Sequence, residues 1–88
     1  MSVRLTELPK GILARIVTID GGLSIESRLR AMGVTPGREF RKISALAARG
    51  PQVIEIDRAQ VAIGHGMAVK IFVESSEHED RVDSNGKR

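Results

Sequence analysis

The chain has 88 residues, a net charge of +3 and an apolar fraction of 41%, and it contains two phenylalanines and no tyrosine, tryptophan or cysteine. This length allows one small domain with a thin, mainly aliphatic core, and the lack of cysteine excludes disulfide bonds and thiolate metal ligands. Because the N-terminus lacks the apolar core of a signal peptide and no apolar run is long enough to span a membrane, we expect a soluble, cytoplasmic protein.

The first predicted elements are a turn at residues 9–11 and a strand within the apolar run 12–19. The alternation of apolar residues in this run changes parity between Ile16 and Val17. Since a one-residue shift turns side chains to the other face of a sheet, this change indicates a β-bulge or a strong bend. The two glycines at 21 and 22 are expected to end the strand.

A short helix and two tight turns are predicted next. Ser24 is the expected N-cap of the helix, and Gly33 follows its last residues, where a left-handed conformation commonly ends a helix. Pro36 and Gly37 match the two central residues of a type II turn. We therefore assign Gly33, Pro36 and Gly37 a structural role in the turn. The predicted core-facing stripe of the helix consists of Ile25, Leu29 and Met32.

The remaining apolar segments predict further short strands separated by glycine, proline and aspartate. Phe40 and Ile43 are the expected core residues of the first of these strands, and residues 57–59 are the expected hairpin connection between the second and third. Short strands with one short helix indicate an all-β fold, a small barrel or roll. The predicted strands cover residues 39–46, 53–56, 61–63 and 69–73.

Charge is distributed unevenly along the chain. Residues 74–88 contain five acidic and three basic side chains, so residues 1–73 carry a net charge of +5. We predict a folded domain over 1–73 and a disordered, charged tail over 74–88, because the tail is almost without apolar residues. A basic domain favours an anionic or acidic partner, and a solvated charged surface explains the same composition equally well.

An ordered set of these residues resembles the FeoA family. The resemblance covers roughly residues 5–73, and its most specific part is the arginine–leucine pair, small loop and proline–glycine turn. Arg58 stands in the hairpin where many relatives have glycine, and glycines at 64 and 66 replace charged residues that often begin a second helix. The residues that carry the resemblance are Leu5, Leu8, Pro9, Gly11, Ala14, Ile16, Gly21, Gly22, Arg28, Leu29, Met32, Gly33, Val34, Thr35, Pro36, Gly37, Gly50, Pro51, Ile54, Ile56, Val61, Ala62, Ile63, Ala68, Ile71 and Val73.

The resemblance implies an SH3-like β-barrel with one or two short α-helices and no catalytic activity. It also implies an accessory or regulatory role in bacterial ferrous-iron uptake, through binding to the cytosolic G-protein region of the membrane transporter FeoB. The same barrel occurs as a C-terminal module of iron-dependent repressors, so a regulatory module of that kind is an alternative. A small basic nucleic-acid-binding barrel is a further alternative.

Candidate groups for catalysis or metal binding are few. The serines lack the context of an activated nucleophile, and the histidines are His65 and His78, so we predict no enzyme and no cofactor. Residues 77–80, Glu-His-Glu-Asp, have side chains of the type that binds Fe(II) or Mn(II). Because they lie in the predicted tail, where ordering costs conformational entropy, we predict no metal site there.

Basic residues concentrate in the predicted helix and the strand after it. Such a surface would attract an acidic protein or a phosphate backbone. Only Phe40 and Phe72 could stack on bases and both are expected in the core, which disfavours nucleic acid as the partner. Homo-oligomers through open strand edges remain compatible with the pattern. The candidate partner-binding residues are Arg28, Arg30, Arg38, Arg41 and Lys42.

Overall fold

Six strands form one antiparallel sheet in the computed structural model, which describes residues 1–45 and 49–76. Their order in the sheet is β1-β6-β2-β3-β4-β5, so β1 and β5 form the two edges of the described sheet. The predicted all-β class is confirmed. The strands are β1 (Val3–Arg4), β2 (Leu13–Ile19), β3 (Glu39–Ala45), β4 (Gln52–Ile56), β5 (Ala59–Ile63) and β6 (Ile71–Ser75).

Two short α-helices connect strands, α1 (Gly22–Ala31) between β2 and β3 and α2 (His65–Ala68) between β5 and β6. The prediction that Ser24 caps α1 is wrong, because the N-cap is Gly21, three residues earlier, and Ser24 lies within the first turn of the helix. A side chain at Gly21 would lie 2.8 Å from the Cδ1 of Ile25, so glycine lets Ile25 cover the first turn. No helix in the described ranges is long and apolar enough to cross a membrane.

The second helix forms although glycines occupy positions 64 and 66. The carbonyl of Gly64 accepts hydrogen bonds from the amides of Met67 and Ala68, at 3.1 and 2.9 Å. Ala68 is fully buried, so one small side chain fixes this turn against the core. The replacement of charged residues by glycine therefore does not remove the helix.

The core is aliphatic, as the composition predicts, and draws on every strand from β2 onward, on α1 and on the N-terminal segment. Phe40 is buried as predicted, whereas Ile43 is only partly buried. A register shift between Lys42 and Ser44 displaces Ile43 from the alternation of β3. The buried core consists of Leu5, Leu8, Ala14, Ile16, Ile19, Leu29, Val34, Phe40, Ile54, Ile56, Ile63, Ala68, Ile71 and Val73.

The bulge predicted in β2 is confirmed. The pairing of β2 with β6 shifts between Ile16 and Thr18, which leaves Val17 as the extra residue, with its side chain exposed. Ile16 then exchanges backbone hydrogen bonds with the segment before β3, because its amide donates to Arg38 O and its carbonyl accepts from Gly37 N. The bulge thus ties β2 to the chain that follows α1.

The hairpin between β4 and β5 is confirmed as well, but its loop is only Asp57 and Arg58, because Ala59, predicted in the connection, is the first residue of β5. Both loop residues have positive φ, 54° and 67°, as a type I′ turn requires. Strand β6 begins at Ile71 and ends at Ser75, so it lies two residues later than predicted and extends into the predicted tail. Of the predicted tail, residues 77–88 lie outside the described ranges.

Candidate functional site

Hydrogen bonds at the end of α1 fix the junction between this helix and β3. Gly33 has φ +83°, its amide donates to Arg30 O, and the amide of Val34 donates to Leu29 O, both at 2.9 Å. These two bonds form a Schellman motif, the left-handed helix end that the sequence predicts. Leu29 and Val34 are fully buried, so the motif is anchored in the core on both sides.

A type II turn follows at once. The amide of Arg38 donates to Thr35 O at 3.2 Å, and Gly37 has φ +91°, as the third residue of such a turn requires. The turn is also fastened to β2, because the amide of Gly37 donates to Ile16 O at 2.7 Å. In addition, the Arg15 guanidinium donates to Gly37 O at 3.1 Å. These hydrogen bonds fasten the junction to β2.

The two turns and the helix enclose a small cleft, which we call the junction cleft. Its volume is about 160 Å³. One wall comes from β2, one from α1 and the third from the segment between α1 and β3. The lining combines the buried apolar residues Ile19 and Val34 with the carboxylate of Glu26 and the guanidinium of Arg30. It is lined by Thr18, Ile19, Glu26, Arg30, Val34, Thr35 and Pro36.

An exposed leucine lies on the same flank of α1. Leu23 is 83% exposed, although the other two large apolar residues of the helix, Ile25 and Leu29, pack against or within the core. At about 100° per residue, Leu23, Glu26 and Arg30 fall within a sector of about 60° on the helix. We call the junction cleft together with Leu23 the junction patch.

The structure separates the two arginines predicted on α1. Arg30 lines the junction cleft, whereas Arg28 is exposed about 200° away around the helix. Neither side chain makes an ion pair or hydrogen bond within the described ranges. Of the five basic residues predicted to bind a partner, Arg30 is thus the one that lines the junction cleft.

The three basic residues predicted around β3 have structural partners instead. Arg38 forms an ion pair with Asp57 at the tip of the β4–β5 hairpin. Arg41 donates to Gly11 O at 2.7 Å and so holds the turn before β2. Lys42 does not belong to the surface at all, because its side chain is only 2% exposed.

Lys42 instead stabilises the N-terminal segment from inside. Its Nζ donates to Leu5 O at 3.1 Å and to Leu8 O at 2.8 Å. Burial lowers the pKa of this lysine from its ordinary value, because desolvation disfavours the ammonium form. The placement of Lys42 on a partner-binding surface is therefore corrected.

Sequence reasoning missed Leu23 as well as the cleft residues contributed by β2. Leu23 carries a recognisable signal, since it is an apolar residue off the stripe formed by Ile25, Leu29 and Met32. The contribution of Thr18 and Ile19 has no such signal, because it depends on how β2 and α1 pack. Within the described ranges no three histidine, cysteine or acidic residues come together as a metal site. The candidate metal segment 77–80 lies outside those ranges.

Neither of the two phenylalanines, Phe40 and Phe72, presents a free ring on which a base could stack. Phe40 is buried in the core. The ring of Phe72 is covered by the guanidinium of Arg4, whose carbon lies 5.5 Å from the ring centroid. Neither ring is available as a flat platform, so the described surface lacks the aromatic groups that single-stranded nucleic acid usually requires.

The FeoA domain family matches residues 3–75, almost the whole described chain. The chain belongs to the FeoA family. A relative in Methanocaldococcus jannaschii, "Putative Fe(2+) transport protein A", is 37% identical over 60 residues, which are 68% of this chain and 71% of the relative. Identity at this level over two thirds of both chains supports the same family.

Solved structures agree with this FeoA assignment. The crystal structure of an iron uptake regulatory protein (FeoA) is 32% identical, with a TM-score of 0.76 over 85% of this chain and 97% of that protein. T. acidophilum IdeR is 25% identical, with a TM-score of 0.78 over 85% of this chain and 34% of IdeR. The likeness to FeoA structures confirms the predicted SH3-like fold with short helices. This chain corresponds to about a third of IdeR.

Proposed function

We propose that this FeoA protein is a non-catalytic accessory subunit of ferrous-iron uptake. It acts at the cytosolic face of the membrane by binding the G-protein region of the Fe(II) transporter FeoB through the junction patch. Family membership supports the role in Fe(II) transport. The observation that carries the binding surface is Leu23, a large apolar side chain 83% exposed on the same flank of α1 as Glu26 and Arg30, which line the cleft.

The junction patch has the composition of a small protein-binding site. An apolar anchor next to a concave surface supplies most of the binding energy in many interfaces, and surrounding polar groups fix orientation. Glu26 and Arg30 can pair with opposite charges on a partner, which contributes specificity and association rate. The Schellman motif and the type II turn hold these groups in place, so binding costs little ordering of the backbone.

The effect on transport follows from differential affinity. A bound FeoA domain changes the population of transporter states only as far as it binds one state more tightly than another. No chemical step is required of the FeoA chain. Iron is the cargo of the transporter in this proposal, and the junction patch does not need to contact it.

The test uses matched substitutions on α1 and the purified G-protein region of FeoB from the same organism. Leu23→Ala is expected to weaken binding by about 1–2 kcal/mol, or roughly 5- to 30-fold, because it removes the apolar anchor. Arg30→Glu is expected to weaken binding, while Arg28→Glu, the same charge change on the other flank, leaves it within about twofold. Isothermal titration calorimetry measures the affinities, and circular dichroism confirms that each variant is folded.

Equal losses in Arg28→Glu and Arg30→Glu would point to non-specific charge attraction and contradict the proposed surface. A wild-type chain that does not bind FeoB at all would contradict the proposed partner. The likeness to IdeR over a third of that protein favours a second candidate, a regulatory module that binds a transcription factor. A crosslinked pull-down from the native cells separates the two, since it recovers either the transporter or a transcription regulator.

A further inference from the structure

The outer edge of β5 has the features of a self-pairing strand. It is the one strand of the six without a charged residue, and it contains neither proline nor a glycine. Its pairing with β4 is regular over all five residues, whereas the β2–β6 and β3–β4 ladders each contain a shift. Edge strands are normally protected from association by charges, prolines or bulges. The β5 edge has none of these.

The opposite edge of the sheet is protected. Strand β1 has only two residues, one of which is Arg4, and a 3-10 turn (Leu5–Glu7) follows it immediately. The guanidinium of Arg4 donates to Val69 O at 3.2 Å, so the side chain covers the backbone beside it. A short, charged and bent strand offers little for another strand to pair with. Of the two edges of the described sheet, the β1 edge is thus protected from pairing and the β5 edge is open to it.

The hairpin geometry identifies which backbone groups of β5 are open. In a two-residue hairpin the residues flanking the turn, here Ile56 and Ala59, exchange both backbone hydrogen bonds. By alternation, Val61 and Ile63 also direct their backbone groups toward β4, and Gln60 and Ala62 direct theirs away from it. No strand of the described sheet pairs with that outer side.

From this geometry we infer that the β5 edges of two copies pair as antiparallel strands, with Val61 on the two-fold axis. Gln60 of one copy then lies opposite Ala62 of the other, and these residues exchange four backbone hydrogen bonds across the interface. This register joins all the open groups of Gln60 and Ala62. It also brings the two partly buried Val61 side chains together, so apolar surface still exposed in one copy becomes covered.

A second copy fits this edge better than a charged peptide does. In this register no charged side chain lies opposite another, although each domain has a net charge of +5 and like charges directly opposite would be destabilising. The opposed pairs are Val61–Val61, Gln60–Ala62 and Ala59–Ile63. The contact is small beside the ~1,600 Å² of a standard interface, so we expect a dissociation constant of roughly 0.1–1 mM. This inference does not depend on the proposed function.

Disulfide trapping tests both the pairing and its register, because the chain has no cysteine of its own. Val61 faces Val61 in a non-hydrogen-bonded pair with Cα atoms about 4.5 Å apart, within the range of about 4.4–6.8 Å that a disulfide spans. In the same register the two Gln60 residues are diagonal neighbours about 7–8 Å apart, too far for an unstrained bond. Under mild oxidation the full-length Val61→Cys variant should form covalent dimers about tenfold faster than Gln60→Cys.

Gln60→Cys is a stringent control, because Gln60 is more exposed than Val61. If dimers formed only through random collisions, Gln60→Cys would crosslink faster than Val61→Cys. Equal or faster dimer formation by Gln60→Cys overturns the inferred register. Sedimentation equilibrium of the unmodified chain gives an independent result, an apparent mass that rises toward the dimer as concentration approaches about 1 mM. A constant monomer mass over that range overturns the proposal.

A pair of charge variants tests the register without a covalent bond. Gln60→Lys combined with Ala62→Glu places opposite charges across the interface twice, whereas Gln60→Lys combined with Ala62→Lys places like charges there. We expect the first variant to keep the dimer and the second to be monomeric. If both are monomeric, Gln60 lies opposite Gln60 or pairing does not occur, and the inferred register is wrong.

Discussion

Substitution of Gly33 tests how much of this fold depends on one left-handed residue. Gly33 has φ +83°, and a Cβ added there would meet no atom within 4 Å. Any loss of stability therefore comes from backbone conformation, with no contribution from a clash. An alanine in left-handed geometry costs about 1–2 kcal/mol, and valine costs more because its branched Cβ makes this conformation a true outlier.

For a domain of this size, each kcal/mol lowers the melting temperature by about 4–8 °C. We thus expect Gly33→Ala to melt about 4–16 °C lower than the unmodified chain, Gly33→Val lower still, and Gly33→Asn between Ala and wild type. Thermal unfolding followed by circular dichroism measures this series. Gly66→Ala is the matched control, since it also has free space and lies in α2 without positive φ. It should be neutral or raise the melting temperature. An unchanged melting temperature in Gly33→Val would refute the left-handed helix end.

Three further substitutions test other parts of the structure. Arg58→Gly should raise the melting temperature by about 4–8 °C, because it removes roughly 1 kcal/mol of left-handed strain at the hairpin tip, and Arg58→Ala should not. Gln52 is 2% exposed and its Oε1 has no hydrogen-bond partner in the described ranges, so Gln52→Met should keep or increase the free energy of unfolding measured in urea. Burial lowers the pKa of Lys42 below 10.5, so the unfolded chain binds this proton more tightly than the folded chain. Stability relative to Lys42→Met should therefore rise with pH between the lowered pKa and 10.5, and parallel pH curves in urea unfolding would contradict this.

Local geometry made much of the fold predictable from the sequence. Gly33, Gly37 and the bulge at Val17 follow from rules that act over a few residues, namely positive φ at glycine and the two-residue period of a strand. The start of α1 was misplaced for a related reason. Ser24, a residue type suited to capping, follows shortly after Gly21 and Gly22. Which of the three precedes the first turn of the helix depends on how Ile25 packs over Gly21.

The site was less predictable, because its residues depend on contacts between distant parts of the chain. Lys42 has the strand parity of the buried Phe40, but its charge indicated an exposed position. What allows its burial is a pair of carbonyl groups 37 and 34 residues away, at Leu5 and Leu8. A count of basic residues cannot distinguish such a structural lysine from one that is free to bind a partner.

The junction patch and the β5 edge can be tested separately, since they share no residue. In the strand order, β3 and β4 lie between β5 and β2, the strand that contributes to the junction cleft. Leu23→Ala should therefore weaken partner binding without slowing the crosslinking of Val61→Cys. Conversely, the like-charge variant at Gln60 and Ala62 should abolish dimers without changing the affinity of one patch for one partner. If both proposals hold, a dimer carries two junction patches. Its apparent affinity for partners clustered on one surface is then raised by the effective concentration of the second patch, and the monomeric variant lacks this increase.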